Sequence, residues 1–299
     1  RKREALSVMD SLLRAEPANA SYRRSRAKVL SELGRQEEAK NEWRHLTRKE
    51  ADAQSLLNLG WAHRREKNYD AAWEIAATLV KLDDKNPTFL RFMANQEIER
   101  QNYQNALRLA QKVLLLAPGD RDAGLTLSKA LFRLQRVREA MAIIRGLIVA
   151  HPDNPAVQYR WAELLAGTKQ YDQALFYFDR LLQADPGNAI YRMNRAHALY
   201  EMGRYDEGIA EWKAMALQSA PNLDALRRLR DDAFNRKGWD DALAWQMRLI
   251  VDSPLNPAGW ESLCNIYREL GQLPKALWAV ERAIAVDPIS INAYYMKAE

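Results

Sequence analysis

The chain has 299 residues, 47% of them apolar, and carries 45 Lys and Arg against 39 Asp and Glu for a net charge of +6. No stretch approaches the roughly 18 apolar residues that span a membrane, and the single cysteine, Cys264, excludes an internal disulfide. The charge is uneven, with 28 Lys and Arg against 19 Asp and Glu in residues 1–150 and 17 against 20 in residues 151–299. A basic first half either faces an acidic partner, an anionic polymer or nucleic acid, or is a solvated helical surface rich in arginine.

The first predicted element is a helix over Arg3 to Ala15, followed by Pro17. Ala5 opens a column of small residues that continues at Ala39, Ala72, Ala106, Ala140, Ala174, Gly208, Ala242 and Ala276. The spacing is 34 residues, broken once by 33 between Ala39 and Ala72. Twelve residues earlier runs a second small column: Ala27, Gly60, Ala94, Ser128, Ala162, Ala196 and Cys264, with Arg230 as the exception. A turn column follows at Pro17, Pro118, Pro152, Pro186, Pro254 and Pro288, with Pro221 one place off. No single globular core keeps such a register, whereas stacked supersecondary units require one.

Within a unit the pattern predicts two amphipathic helices. From Asn188, Met193, Ala196, Leu199 and Tyr200 follow the three-and-four spacing of one helix face. Gly203 and Arg204 mark a tight turn, and a second helix carries Ile209, Trp212 and Met215 before ending near Pro221. The small residues fit where the helices cross, since only short side chains let two backbones approach. An aromatic column (Tyr69, Tyr103, Tyr171, Tyr205, Trp239) heads the second helices, and a last helix is predicted over Ser290 to Glu299.

These columns resemble a tetratricopeptide repeat (TPR) array. The unit from Pro155 to Asn188 shows the resemblance best, with Ala162, Leu165, Tyr171, Ala174, Phe178 and Pro186 in the matching places. The resemblance implies an all-α, right-handed superhelical solenoid of antiparallel helix pairs. On this register residues 1–19 are a partial repeat, residues 20–290 are eight full repeats, and residues 291–299 are the first helix of a further one. Starting at Arg1 and stopping within a helix, the chain reads as a piece of a longer protein.

The chemistry-bearing residues are sparse. None of His45, His63, His151 and His197 has a partner at metal-ligand spacing, and no phosphate loop or nucleophile elbow occurs. The expectation is therefore no enzyme, no cofactor and no metal. Cys264, in a small-residue column, reads as a buried packing residue.

The resemblance implies that the first helices line a concave groove that holds the partner. The inner-face places give Arg24 and Lys28; Asn58, Trp61 and Arg65; Arg91 and Asn95; Lys129 and Arg133. They continue with Tyr159, Arg160 and Glu163; Asn194, His197 and Tyr200; Arg227, Arg228 and Asp231; and Glu261, Asn265 and Arg268. The foremost candidates are Arg91, Asn95 and Lys129, followed by Tyr159, Asn194, His197, Tyr200 and Arg227. Chaperone adaptors of this family grip a C-terminal carboxylate with Lys-then-Asn, Asn, and Lys-then-Arg on three successive first helices. Arg91 and Asn95 imitate the first element, but Thr126 stands where asparagine is needed, and Ala156 with Arg160 leaves one cation missing. The clamp is absent, which disfavours a chaperone-tail adaptor. Between Ala220 and Asp241, Arg230 replaces the small crossing residue, either as a local irregularity neutralised by Asp231 and Asp232 or as a partner contact.

The expected partner is another protein. The alternative is a periplasmic scaffold in bacterial exopolysaccharide export that recruits a polysaccharide-modifying enzyme or contacts the polysaccharide, with Trp61, Tyr159, Tyr200 and Phe234 offering stacking faces. The compartment is then periplasmic, and otherwise cytoplasmic. Nucleic acid is disfavoured because the second half is net acidic.

Overall fold

The computed structural model describes residues 2–49, 53–218 and 220–298. Among them are 18 helices and no strand, with helix taking about four-fifths of the chain. The first helices of successive pairs are α2 (Ala20–Glu32), α4 (Ala53–Arg65), α6 (Pro87–Glu99), α8 (Arg121–Arg133), α10 (Pro155–Gly167), α12 (Ala189–Glu201), α14 (Leu223–Asn235), α16 (Pro257–Glu269) and α18 (Ile291–Ala298). The second helices are α1 (Lys2–Ala15), α3 (Gln36–Lys49), α5 (Tyr69–Leu82), α7 (Tyr103–Leu116), α9 (Val137–Ala150), α11 (Tyr171–Ala184), α13 (Tyr205–Ala216), α15 (Trp239–Asp252) and α17 (Leu273–Val286). The chain forms two compact units, Arg1–Arg160 and Trp161–Glu299, the division falling inside α10. Among the described residues no helix is long and apolar enough to cross a membrane.

Local chemistry sets the ends of each pair. The first helices open on Asn19, Asn86, Asp120, Asn188, Asn222 and Asn256, whose side chains accept backbone N–H bonds from the first turn. They close on a left-handed residue, at Gly34, Gly203 and Gly271 but also at Lys67, Gln101, Gln135, Lys169 and Lys237. The N–H of the next residue then reaches back to the last turn, as from Arg35 to the Leu30 carbonyl (3.0 Å) and from Arg204 to the Leu199 carbonyl (3.0 Å). The turn after a second helix is clipped in four places: Arg23, Gln158, Arg192 and Trp260 donate to the carbonyls of Pro17, Pro152, Pro186 and Pro254.

The two small-residue columns do meet where helices cross. A Cβ added to Gly208 on α13 would lie 2.8 Å from the Ala196 carbonyl oxygen of α12. Ala27, Ala39, Ala94, Ala106, Ala162 and Ala174 are fully buried. Cys264 is buried in the same way, and burial raises its thiol pKa, as a packing residue requires.

Two details depart from the sequence reading. The helix expected to end near Pro221 stops at Ala216, and the Asn222 N–H bonds to the Met215 carbonyl at 3.2 Å. At the irregular crossing, Arg230 donates to Asp231 at 2.6 Å and to Gln246 of α15 at 3.0 Å. Asp231 thus neutralises it, but Asp232 serves another network, accepting from Tyr200 at 2.8 Å and from Arg236 at 2.5 Å.

Candidate functional site

In the first unit, α6 and α8 pack side by side and bring the three foremost candidates to one seam. Arg91 donates to Asp120 at 2.7 Å, and Asp120 also caps α8. The Thr126 hydroxyl lies 3.0 Å from Asn95 Oδ1. Lys129 sits 4.0 Å from Glu99, which also accepts from Arg64 at 3.0 Å. Arg91 is therefore held by a helix-capping carboxylate, whereas Lys129 keeps a half-exposed ammonium. Tyr159 is half-buried on α10. Its neighbour Arg160, expected in the groove, is instead buried: it donates to Ser128 Oγ and the Ser128 carbonyl and lies over the Phe132 ring at 5.2 Å. A guanidinium at that place clips two first helices together and is spent on the fold.

A second arrangement in this unit lies between α2 and α4. A cleft of 620 Å³ is walled by Arg24, Lys28 and Glu32 on one side and by Asn58, Trp61 and Arg65 on the other, with Trp43 beneath. The inner-face columns had picked out five of these residues, but not as the foremost candidates. What sequence spacing missed is which cations are already paired: Asp120 engages Arg91 across 29 residues of chain.

In the second unit, Asn194, His197 and Tyr200 lie on α12 and Arg227 on α14. Asn194 turns its amide onto the Ile190 carbonyl of its own helix at 2.9 Å, and Arg227 pairs with Asp224 at 2.6 Å. His197 lies 3.7 Å from Glu201; burial and the nearby Arg228 charge push its pKa below the ordinary imidazole value. Tyr200 packs against the rings of Tyr205 and Trp212, with centroids 4.8 and 5.0 Å away. Burial and the hydrogen bond to Asp232 push its pKa up to about 12. Its ring and its hydroxyl are both engaged.

One unit of structure occurs twice, once in each compact body. Residues 10–43 match residues 179–212 at a constant offset of 169, with 18 of 34 positions identical, so the pair serves as an internal control on which residues the fold demands. Arg26 bridges Asp10 and Glu42 at 2.7 and 2.8 Å, and Arg195 bridges Asp179 and Glu211 in the same way. Arg35 forks onto Glu38 as Arg204 does onto Glu207. Trp43 and Trp212 are both buried. The inner faces differ where Arg24, Ser25, Lys28 and Ser31 in the first copy meet Met193, Asn194, His197 and Tyr200 in the second, and agree at Glu32 and Glu201.

Family models described as tetratricopeptide repeat match residues 26–87, 97–164 and 165–231, together about two-thirds of the chain. Hsp70-Hsp90 organizing protein 2 of Arabidopsis thaliana is 21% identical over 243 residues, covering 80% of this chain. The chain spans only 36% of that relative's length. Among solved structures, a tetratricopeptide repeat protein from Parabacteroides merdae aligns with TM-score 0.55 at 16% identity, over 93% of this chain and 97% of that one. Human IFIT1, in a dimer with m7Gppp-AAAA, aligns with TM-score 0.69 at 12% identity over 94% and 76%. The Cut9–Hcn1 hetero-tetramer of APC/C contains a chain that aligns with TM-score 0.56 at 13% identity over 100% and 52%. At these identities the structural likeness speaks for the fold alone. The repeat register, the matched family models and the helix-pair architecture agree: the chain belongs to the tetratricopeptide repeat family, whose arrays are protein-interaction scaffolds.

Proposed function

We propose that this chain is a non-catalytic scaffold that holds a partner protein along the inner faces of its first helices. The observation that carries this reading is the contrast between the two copies of one unit. Most of their framework residues repeat, while their inner faces carry different side chains, Lys28 against His197 and Ser25 against Asn194. Residues that folding demands recur in both, so a face free to differ is one that the fold leaves to recognition. Lys129 and the residues of the α2–α4 cleft are the inner-face groups best able to meet a partner in the first unit, and His197 with Arg228 in the second. Mixed cationic and aromatic side chains suit an extended or helical protein segment.

A sugar polymer in an export assembly is the second reading. It relies on Trp61, Tyr159, Tyr200 and Phe234 presenting open faces, and the commitment of Tyr200 to Tyr205, Trp212 and Asp232 weighs against that residue. The test is site-specific photo-crosslinking in the native cell. Probes at Lys129 and Asn194 are expected to capture a protein partner, and probes at Arg108 and Lys112 on α7 to capture none. Crosslinks confined to α7 would overturn the inner-face assignment.

A further inference from the structure

We infer that the α2–α4 cleft seats an acidic peptide segment carrying one large apolar side chain. This inference deepens the scaffold reading and rests on it. The cleft's 620 Å³ falls within the roughly 300–1,000 Å³ of small binding pockets. That holds one anchoring side chain with its flanking backbone. Both walls present cations, Arg24 and Lys28 from α2 and Arg65 from α4, against the single carboxylate Glu32.

The state of Lys28 and Arg65 separates them from other cations in the same unit. Arg26 is saturated by Asp10 and Glu42, and Arg91 by Asp120. Lys28, by contrast, meets no carboxylate among the described residues, and Arg65 has an amide oxygen, Gln36 Oε1, at 3.4 Å. Trp61 supplies the apolar contact: it packs on Phe92 with ring centroids 4.7 Å apart and is half-buried, leaving part of its indole to the cleft. The internal copy gives independent support, because the second unit folds with Met193 and His197 at the places of Arg24 and Lys28. The fold does not require a cation at the exposed place of Lys28, so its presence there is a property of the surface.

A nucleic-acid strand also seeks cations and aromatic faces. It needs cations tracking a backbone and several stacking platforms. The cleft offers one half-open indole between two short walls, one stacking platform rather than several, so the observations favour the peptide.

The test is fluorescence anisotropy with a fluorescein-labelled 12-residue peptide of alternating Glu and Gly with one central Phe, titrated with the whole chain. Two control peptides replace Glu by Gln or Phe by Gly. Saturable binding that weakens about tenfold in either control and on raising the salt supports the proposal, since exposed charge pairs are screened over about 10 Å at 0.1 M. Lys28→Glu and Arg65→Glu, both exposed, are each expected to weaken binding about tenfold with unchanged helicity. Trp61→Ala is expected to do the same and Trp61→Phe to restore most of it, which separates a lost anchor from a lost fold. Lys129→Glu should leave the affinity within about twofold. No binding, or loss with Lys129→Glu alone, overturns the cleft assignment and leaves the inner-face scaffold standing. Loss only with Arg108→Glu or Lys112→Glu overturns both. A 12-nucleotide poly(A) RNA that binds more tightly and is lost with Lys28→Glu overturns the peptide in favour of nucleic acid.

Discussion

Residues 10–43 and 179–212 are the same object built twice: the caps, the bridging arginine and the tryptophan recur, while the inner face and some packing places, Ala39/Gly208 and Lys40/Ile209 among them, differ. In each, an Asn caps the first helix, a glycine with positive φ ends it, an Arg–Glu fork opens the second helix, and a tryptophan fills the space beneath. An arginine on the first helix ties together carboxylates from the two second helices beside it. The inner face then changes from Arg24, Ser25, Lys28 and Ser31 to Met193, Asn194, His197 and Tyr200. Stability in such arrays is a sum of local unit and neighbour terms, so matched substitutions in the two copies should have matched costs. Those on the inner face should not.

The largest matched effect belongs to the buried tryptophans. Trp43→Ala and Trp212→Ala should each destabilise their own unit by about 3–5 kcal/mol, measured by urea unfolding with hydrogen exchange to localise the loss. A loss in one copy of less than half that in the other breaks the equivalence. Next come the bridging arginines. Arg26→Met and Arg195→Met each remove the cation that bridges two carboxylates, with Glu42 keeping its contact from Arg23 at 2.9 Å. Because the groups are partly exposed, the expected cost is only about 1–2 kcal/mol. Raising the salt should shrink it equally in both.

The helix-closing residues follow. Gly34→Ala and Gly203→Ala should each cost about 1 kcal/mol, because both sit at positive φ where a Cβ is strained. Lys67→Gly and Lys237→Gly, at the same place in other repeats, should gain up to about 1 kcal/mol. Equal thermal melts for all four would remove backbone strain from the explanation.

The smallest effect is one that only the second copy can show. His197 has a folded pKa below that of a free imidazole, so the unfolded chain takes up the proton first. Its contribution is complete above the unfolded pKa of about 6.5 and is lost as the pH falls from there through the folded value. A shallow acid-side loss in the second unit, absent in His197→Gln, is the expected record, set apart from the loss of the same sign that the buried His63 gives the first unit. A matching loss in the His197→Gln variant would assign the slope to other groups.

Much of this fold was legible in the sequence. Ala27, Ala39, Ala162 and Ala174 announced helix crossings because close backbone approach tolerates only small side chains, whatever surrounds them. The helix-closing residue was legible at Gly203, but Lys67, Gln101 and Lys169 adopt the same conformation without looking like turn residues. Repetition of the motif, rather than local preference, forces them there. The site was harder to read for a different reason. Arg91 and Lys28 both looked like inner-face cations, and what distinguishes them is Asp120, a residue from another helix that no spacing rule connects to Arg91. Arg160 stands in a column that faces inward, yet Ser128 and Phe132 draw it into the packing.

The central claim is that framework and inner face are separable. Its most direct test is the double substitution Ser25→Asn with Lys28→His, which gives the first copy the exposed inner-face residues of the second. Unfolding and affinity for the acidic peptide are measured on the same sample. The expected result is stability within about 0.5 kcal/mol of the parent, as for surface substitutions remote from any structural device, with peptide affinity reduced about tenfold at pH 8. Loss of stability in step with affinity, or an affinity that does not change, would contradict it.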